Sequence, residues 1–170
     1  MKSHTQSAKK IKLVEMILLS LLGAVMFVSQ VIMASLPNIE IVTLLVILTT
    51  RRFGYKALLS VYIFAGCEVL LYGIGIWNIN YLYVWAILCI VILLVKKIDD
   101  AVFYALIAAF FGLLFGTFCS IPYFIMGGFA GGIGYILSGF TFDLLHCVGN
   151  FVIVLLLYKP LTNVLNKAVK

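Results

Sequence analysis

Charged side chains are scarce in this chain, since Asp, Glu, Lys and Arg make up 11% of its 170 residues. Soluble globular proteins carry about 25%. The chain also has only 3 prolines, and its 4 cysteines are scattered through apolar runs without a C-x-x-C pair. A shortage of charge combined with many apolar residues excludes intrinsic disorder, and the cysteine pattern excludes a disulfide-rich secreted domain. We therefore expect buried thiols and no metal site.

Apolar residues, in contrast, make up 65% of the chain, and the mean hydropathy is +1.22. This is more apolar surface than 170 residues could hide from water, so the surrounding solvent must be lipid. The net charge of +6 does not indicate a nucleic-acid partner, because the basic residues lie in short clusters between apolar runs. The composition predicts an all-α polytopic membrane protein consisting of a single domain, residues 1–170.

Six apolar stretches approach the length of about 20 residues that a helix needs to cross a bilayer. The second is short, so it must tilt little, be shielded by other helices, or borrow residues from the RRFGYK loop that follows. A glycine-rich segment, residues 126–139, connects the last two stretches and could serve as a mobile lid or as a close-packing surface. The predicted transmembrane helices span about residues 13–36, 39–50, 57–76, 81–95, 101–124 and 140–158.

The basic residues all fall on one side when the six helices alternate across the bilayer. Cytoplasmic loops carry an excess of Lys and Arg, so this side is predicted to be the cytoplasm and both termini are assigned to it. The first apolar run is too long for a signal peptide, and we expect it to be retained as a helix. The twelve residues are Lys2, Lys9, Lys10, Lys12, Arg51, Arg52, Lys56, Lys96, Lys97, Lys159, Lys167 and Lys170.

Polar residues inside the predicted helices require a partner or a function, because burying them in lipid is costly. Glu68 lies past the middle of the third helix. In the sixth helix, Gly139, Asp143, His146 and Asn150 follow one another at offsets of 0, 4, 7 and 11, so they form one narrow stripe. Such a stripe could bind a solute or could hold helices together through hydrogen bonds.

Aromatic and amide side chains are concentrated in the outer loops. Asn78, Tyr81 and Trp85 share one helical face, which suits stacking of a flat heterocycle and hydrogen bonding of its edge. An interfacial aromatic belt is the alternative interpretation. In the first outer loop, Glu40 either contributes to the same site or caps the second helix. The candidate substrate-binding residues are Asn38, Glu40, Glu68, Asn78, Asn80, Tyr81, Trp85, Asp143, His146 and Asn150.

Five segments, LPNIE, RRFG, WNINYLYVW, FDLLHCVGNF and KPL, resemble in their order and spacing the S component of an energy-coupling factor (ECF) transporter. The resemblance implies a multi-pass protein of the bacterial cell membrane that binds a vitamin with high affinity and is not itself an enzyme. It implies a membrane T component and two ABC ATPases as partners. These partners use the ATP, so no cofactor is expected on this chain.

The resemblance also implies that small residues on the first helix dock on the T component, because they let helices approach closely. Here the pattern is imperfect and maps onto Ser20, Gly23 and Ala24.

The substrate is less clearly indicated. The absence of intramembrane Lys or Arg argues against a strongly anionic vitamin such as folate. A bulky ligand would fit the glycine-rich outer segment, so cobalamin is the predicted substrate, with pyridoxine or hydroxymethylpyrimidine as alternatives. Two other hypotheses are a membrane enzyme that uses Asp143 and His146 as an acid/base pair, and a solitary small-solute carrier or channel.

Overall fold

The computed structural model describes residues 13–36 and 39–168, and all regular secondary structure within them is helical. The all-α prediction is therefore confirmed for this part of the chain. The helices are α1 (Leu13–Met33), α2 (Val42–Phe53), α3 (Ala57–Tyr72), α4 (Ile76–Val95), α5 (Ala101–Leu113), α6 (Phe115–Cys119) and α7 (Ile121–Ala168), with a 3₁₀ turn at Gly54–Lys56.

Four helical segments are long and apolar enough to cross a membrane. They are α1, the α2–α3 segment Val42–Tyr72, α4 and α7, while α5 is apolar but shorter. The surface agrees with a lipid environment, because large aliphatic side chains such as Ile74, Leu70 and Leu94 are more than 80% exposed. Polar side chains such as Thr43 and Ser60 are instead fully buried. This architecture is that of a membrane protein.

The short helix α2 lies at the centre of the bundle. Eight of its twelve residues are buried, and it packs against α1, α3, α4, α5 and α7. Its three threonines are all among the buried residues, so the neighbouring helices shield their hydroxyl groups from lipid. The sequence offered three explanations for the short second helix: a small tilt, shielding by other helices, or extension into the following loop. The last two are correct, because α2 is shielded by its neighbours and includes Arg51, Arg52 and Phe53 from the predicted loop.

α5, α6 and the start of α7 form one arm of a long helical hairpin, and the rest of α7 forms the other. Asn150 donates to the carbonyl of Ala108 at 3.4 Å, and the rings of Tyr123 and Tyr135 stack at 4.1 Å. Residues that contact each other across the two arms therefore lie closer together in the sequence the nearer they are to residue 128. The chain reverses at Gly128, whose φ of 62° and ψ of −162° are accessible essentially only to glycine.

This hairpin corrects two predicted boundaries. The predicted fifth helix, 101–124, is divided into α5, α6 and the first turn of α7. Residues 126–139 are helical except at Gly128, and the predicted sixth helix, 140–158, is only the middle of α7. Glycine disfavours helix by about 1 kcal/mol per residue, but the packing of aromatic rings across the hairpin offsets that cost.

The α3–α4 connection is also shorter than predicted. Gly73, with φ of 79°, ends α3 at Tyr72 instead of residue 76, and α4 begins at Ile76 instead of residue 81. The aromatic segment expected in an outer loop therefore forms the first turns of α4. The side chain of Asn78 accepts a hydrogen bond from the Gly75 N–H and stabilises this helix start.

Basic side chains from several segments meet at one end of the bundle. Lys56 contacts Glu15 at 2.6 Å, and Arg51 contacts Asp99 at 2.9 Å. The hydroxyl of Tyr158 donates to the same Asp99 carboxylate at 2.8 Å, and this bond together with Arg51 holds the pKa of Asp99 below its ordinary value. The start of α1, the α2–α3 turn and the α4–α5 loop therefore lie at the same end, which we call the basic end.

Candidate functional site

A cavity of about 340 Å³ lies at the end opposite the basic end, where α1 finishes and α4 begins. Its walls come from α1, the α1–α2 loop, α3, α4, α6 and α7. Pockets of about 300–1,000 Å³ are typical of small-molecule sites. The residues that line it are Gln30, Met33, Ala34, Leu36, Ile39, Glu40, Glu68, Tyr72, Tyr81, Trp85, Phe115 and His146.

Glu40 and His146 form a buried polar pair in the cavity wall. The Nε2 atom of His146 lies 3.1 Å from Oε1 of Glu40, and the backbone N–H of Thr43 donates to Oε2 at 2.8 Å. Glu40 therefore both faces the cavity and caps the start of α2. Burial by itself raises the pKa of Glu40, but the hydrogen bonds and the charge interaction with His146 hold that pKa below its ordinary value of 4.5.

Glu68 forms the opposite acidic group of the cavity. Its side chain is 3% exposed, and its Oε1 atom has no hydrogen-bond partner among the described residues. The indole N–H of Trp85 is likewise buried without a partner in this part of the chain. Buried polar atoms are normally paired, so these two cavity-lining side chains each carry an unused hydrogen-bonding atom.

Aromatic rings supply the rest of the wall. The ring centroid of Trp85 lies 5.9 Å from that of Tyr81 and 5.8 Å from that of Phe115. The ring of Phe115 in turn meets the edge of the His146 imidazole at 5.0 Å. Each ring is therefore held by its neighbours, which fixes the shape of the wall before any ligand arrives.

Five of the predicted substrate-binding residues thus meet at this cavity, although they lie far apart in sequence: Glu40, Glu68, Tyr81, Trp85 and His146. The two remaining amides of α4 lie elsewhere. Asn78 lines an apolar groove between α3 and α4, and Asn80 accepts a hydrogen bond from the Tyr83 hydroxyl at 2.9 Å. Asn38 lies outside the described residues.

The three polar residues of the stripe on α7 are buried, but only His146 reaches the cavity. Asp143 accepts a hydrogen bond from the Gly116 N–H at 3.0 Å. Asn150 donates to Thr43 Oγ1 at 3.3 Å, so it ties α7 to α2. Gly139 is partly buried. One residue of the stripe, His146, therefore lines the cavity, and two residues, Asp143 and Asn150, join helices through hydrogen bonds.

The three small residues on α1 differ in their surroundings. A Cβ atom on Gly23 would lie 2.6 Å from the carbonyl oxygen of Ser60, so Gly23 is where α1 approaches α3. Ser20 and Ala24 are only partly buried. Gly23 is thus used within the chain, while its two neighbours remain partly accessible.

Sequence reasoning missed the other cavity residues. Tyr72 is not among the predicted substrate-binding residues, although the sequence places it one helical turn after Glu68 on the same face. Phe115 and Met33 gave no signal, since one apolar residue among many shows nothing about which cavity it lines. Among the described residues, no three His, Cys, Asp or Glu side chains cluster as metal ligands. The cavity can therefore bind a solute through carboxylates, imidazole, indole N–H and aromatic faces.

Comparison of the chain with protein-family models, curated proteins and solved structures gives no match.

Proposed function

We propose that this chain is the substrate-binding S component of an ECF-type ABC importer for a vitamin or related micronutrient in the bacterial cell membrane. The observation that carries the proposal is the cavity in which Glu40, Glu68, Tyr81, Trp85 and His146 meet. It lies at the end of the bundle away from the basic residues. By the positive-inside rule the basic end faces the cytoplasm, so the cavity faces outward, as solute capture requires.

Six crossings with both termini in the cytoplasm are part of this proposal. In that topology α1, α2, α3 and α4 are the first four crossings, and the two arms of the hairpin, which turns at Gly128, are the fifth and sixth. The joining of the α1 start, the α2–α3 turn and the α4–α5 loop at the basic end supports this alternation.

The size of the cavity favours a small heteroaromatic vitamin. About 340 Å³ suits pyridoxine or hydroxymethylpyrimidine, whereas the corrin ring and nucleotide loop of cobalamin contain far more atoms than this space holds. We therefore propose pyridoxine or hydroxymethylpyrimidine as the substrate. Cobalamin, the substrate predicted from the sequence, becomes the alternative, and the binding experiment below tests it.

Partners complete the transporter. We propose a membrane T component and two ABC ATPases, which use the ATP, with Ser20 and Ala24 on the accessible part of α1 near the docking surface. The membrane-enzyme alternative stays a prediction. Asp143 bonds to the backbone of Gly116 and His146 bonds to Glu40, so no hydrogen bond joins Asp143 to His146 in the described part of the chain.

The experiment that tests the proposal measures solute and partner binding by the full chain purified in a neutral detergent. Mass spectrometry identifies retained small molecules and partner subunits, and calorimetry measures the affinity for pyridoxine, hydroxymethylpyrimidine and cobalamin. His146→Ala should weaken binding at least tenfold, because His146 lines the cavity and holds Glu40. Val148→Ala, on the exposed side of α7, is the control and should leave affinity unchanged.

The proposal is overturned if repeated mild preparations retain neither a solute nor partner subunits and none of the three vitamins binds. It is also overturned if His146→Ala binds the retained solute as tightly as the unmodified chain.

A further inference from the structure

The charges around the cavity are unbalanced. Two carboxylates, Glu40 and Glu68, face it, and the described lining residues include no lysine or arginine. Glu40 is compensated by His146 and by the Thr43 N–H, at 3.1 and 2.8 Å. Glu68 has no such compensation, since its Oε1 atom is buried and unpaired in the described part of the chain. A carboxylate in this position lacks a positively charged or N–H partner.

Two of the described cations have partners of their own, far from Glu68. Arg51 is bound to Asp99 and Lys56 to Glu15, both at the basic end of the bundle. Glu68 lies near the other end of α3, eleven residues beyond its start at Ala57, or about 17 Å along a helix that rises about 1.5 Å per residue. A positively charged solute in the cavity would supply the compensating group.

Aromatic faces around Glu68 are the second indication of a cationic guest. Tyr72, Tyr81, Trp85 and Phe115 line the same cavity as Glu68. Aromatic rings attract cations through the negative charge of their faces, and aromatic cages are a recurrent way to bind ammonium groups. An anion would meet two carboxylates and several ring faces here, and all of them would repel it.

We propose that the cavity selects a small organic cation, an ammonium group or a protonated ring nitrogen whose N–H donates to the carboxylate of Glu68 while its carbon skeleton packs on Tyr81 and Trp85. The proposal rests on the proposed function, because it names the chemical class of the solute captured by that same cavity. Pyridoxine and hydroxymethylpyrimidine would enter this class in the form protonated at a ring nitrogen.

Matched pairs of cations and neutral isosteres test the proposal. The probes are benzylammonium with benzyl alcohol and cyclohexylammonium with cyclohexanol, which differ within each pair mainly by the charge. The chain has two tryptophans, so Trp77→Phe leaves Trp85 as the only indole reporter of binding. Titrations at pH 7 in a neutral detergent follow the fluorescence of Trp85.

We expect each ammonium to bind at least tenfold more tightly than its neutral isostere. Glu68→Gln should remove this preference, because the amide keeps the shape of the carboxylate but not its charge. Glu15→Gln, which removes a carboxylate at the basic end, is the matched control and should leave the preference intact. The affinities of the ammonium and neutral probes are also compared on the protein that keeps Glu68. That comparison remains valid if Glu68→Gln fails to fold.

The proposal is overturned if the neutral isosteres bind as tightly as the ammonium probes, if Glu68→Gln preserves the preference, or if no probe changes the Trp85 signal. Its failure is distinguishable from failure of the transporter proposal. A neutral or anionic vitamin retained by the chain and lost in His146→Ala would leave the transporter intact and exclude the cation. Preferential binding of the ammonium probes by a chain that retains no solute or partner subunit and binds none of the three vitamins would do the reverse.

Discussion

At the residue scale, the contact between Glu40 and His146 joins two positions 106 residues apart. Its two side chains are almost fully buried, with 11% and 6% of their surfaces exposed. Burying a charged group costs free energy unless hydrogen bonds replace those it made with water. Each side chain of the pair therefore lowers the cost of burying the other. The pair therefore fixes the α1–α2 loop against α7 and shapes the cavity wall.

The lowered pKa of Glu40 makes this contact dependent on pH. A carboxylate whose pKa is lowered by folding stabilises the folded state above its unfolded pKa, and the stabilisation is lost as the pH falls through the lowered folded value. Glu40→Gln should lose about 2 kcal/mol at neutral pH, the scale of a hydrogen bond to a charged group. The difference in unfolding free energy between the two proteins should be constant down to about pH 5 and shrink below the ordinary pKa of 4.5.

Denaturation followed between pH 7 and pH 3 in detergent measures this difference. Equal stability of both proteins at neutral pH, or a difference that stays constant down to pH 3, would contradict the assigned pair.

At the element scale, the hairpin of α5–α7 depends on a single backbone position. Gly128 adopts a conformation in which a Cβ atom is strained, and this reversal lets Tyr123 stack on Tyr135. The close approach of the arms also needs small residues, because a Cβ atom on Gly131 would lie 3.0 Å from the Tyr123 carbonyl oxygen. Glycines that suggest a flexible lid in the sequence are thus used for a tight turn and close packing.

Neighbouring glycines give a matched test of this turn. Gly128→Ala should destabilise the protein by about 1–3 kcal/mol, the cost of a strained backbone conformation, and lower the Tm by roughly 2–12 °C. Gly127→Ala should not, because a Cβ atom there meets nothing within 4 Å and its φ is not positive. Thermal unfolding of both variants in detergent measures their Tm values. Equal Tm values would contradict a specific requirement for glycine at residue 128.

At the scale of the whole molecule, the bundle separates its polar groups by end. Carboxylates, imidazole and aromatic rings meet at the cavity end, and basic side chains meet at the other. This separation connects the proposed topology with the proposed function, because a solute-binding cavity is useful for uptake only if it opens on the side where the solute arrives.

Labelling of single cysteines tests the topology. In a variant without the four native cysteines, Ile74→Cys at the α3–α4 turn should react with an impermeant maleimide on intact cells, since residue 74 is 93% exposed at the cavity end. Lys97→Cys, in the α4–α5 loop, should react only after the cells are permeabilised. Labelling of both positions, or of Lys97→Cys alone, on intact cells would contradict six crossings with a cytoplasmic basic end.

Much of the cavity was predictable because polar side chains are conspicuous in an apolar sequence. Glu68 and His146 were found this way, and Trp85 through its spacing from Tyr81. Asn78 and Asp143 are also polar residues in an apolar sequence, but they do not line the cavity. Their side chains instead accept hydrogen bonds from the backbone N–H groups of Gly75 and Gly116. Which of two available partners a polar side chain takes depends on neighbours that are remote in sequence.

The sequence by itself determined the helical class, the lipid environment and the approximate positions of the first four helices, since composition and the length of apolar runs are local properties. Only the tertiary structure decided the rest. The reversal at Gly128 depends on packing between arms, and the pairing of Glu40 with His146 depends on how helices remote in sequence meet. Hydrophobicity drives burial without specifying a partner. The choice of partners, and with it the cavity, is therefore settled by shape and hydrogen bonding in the folded bundle.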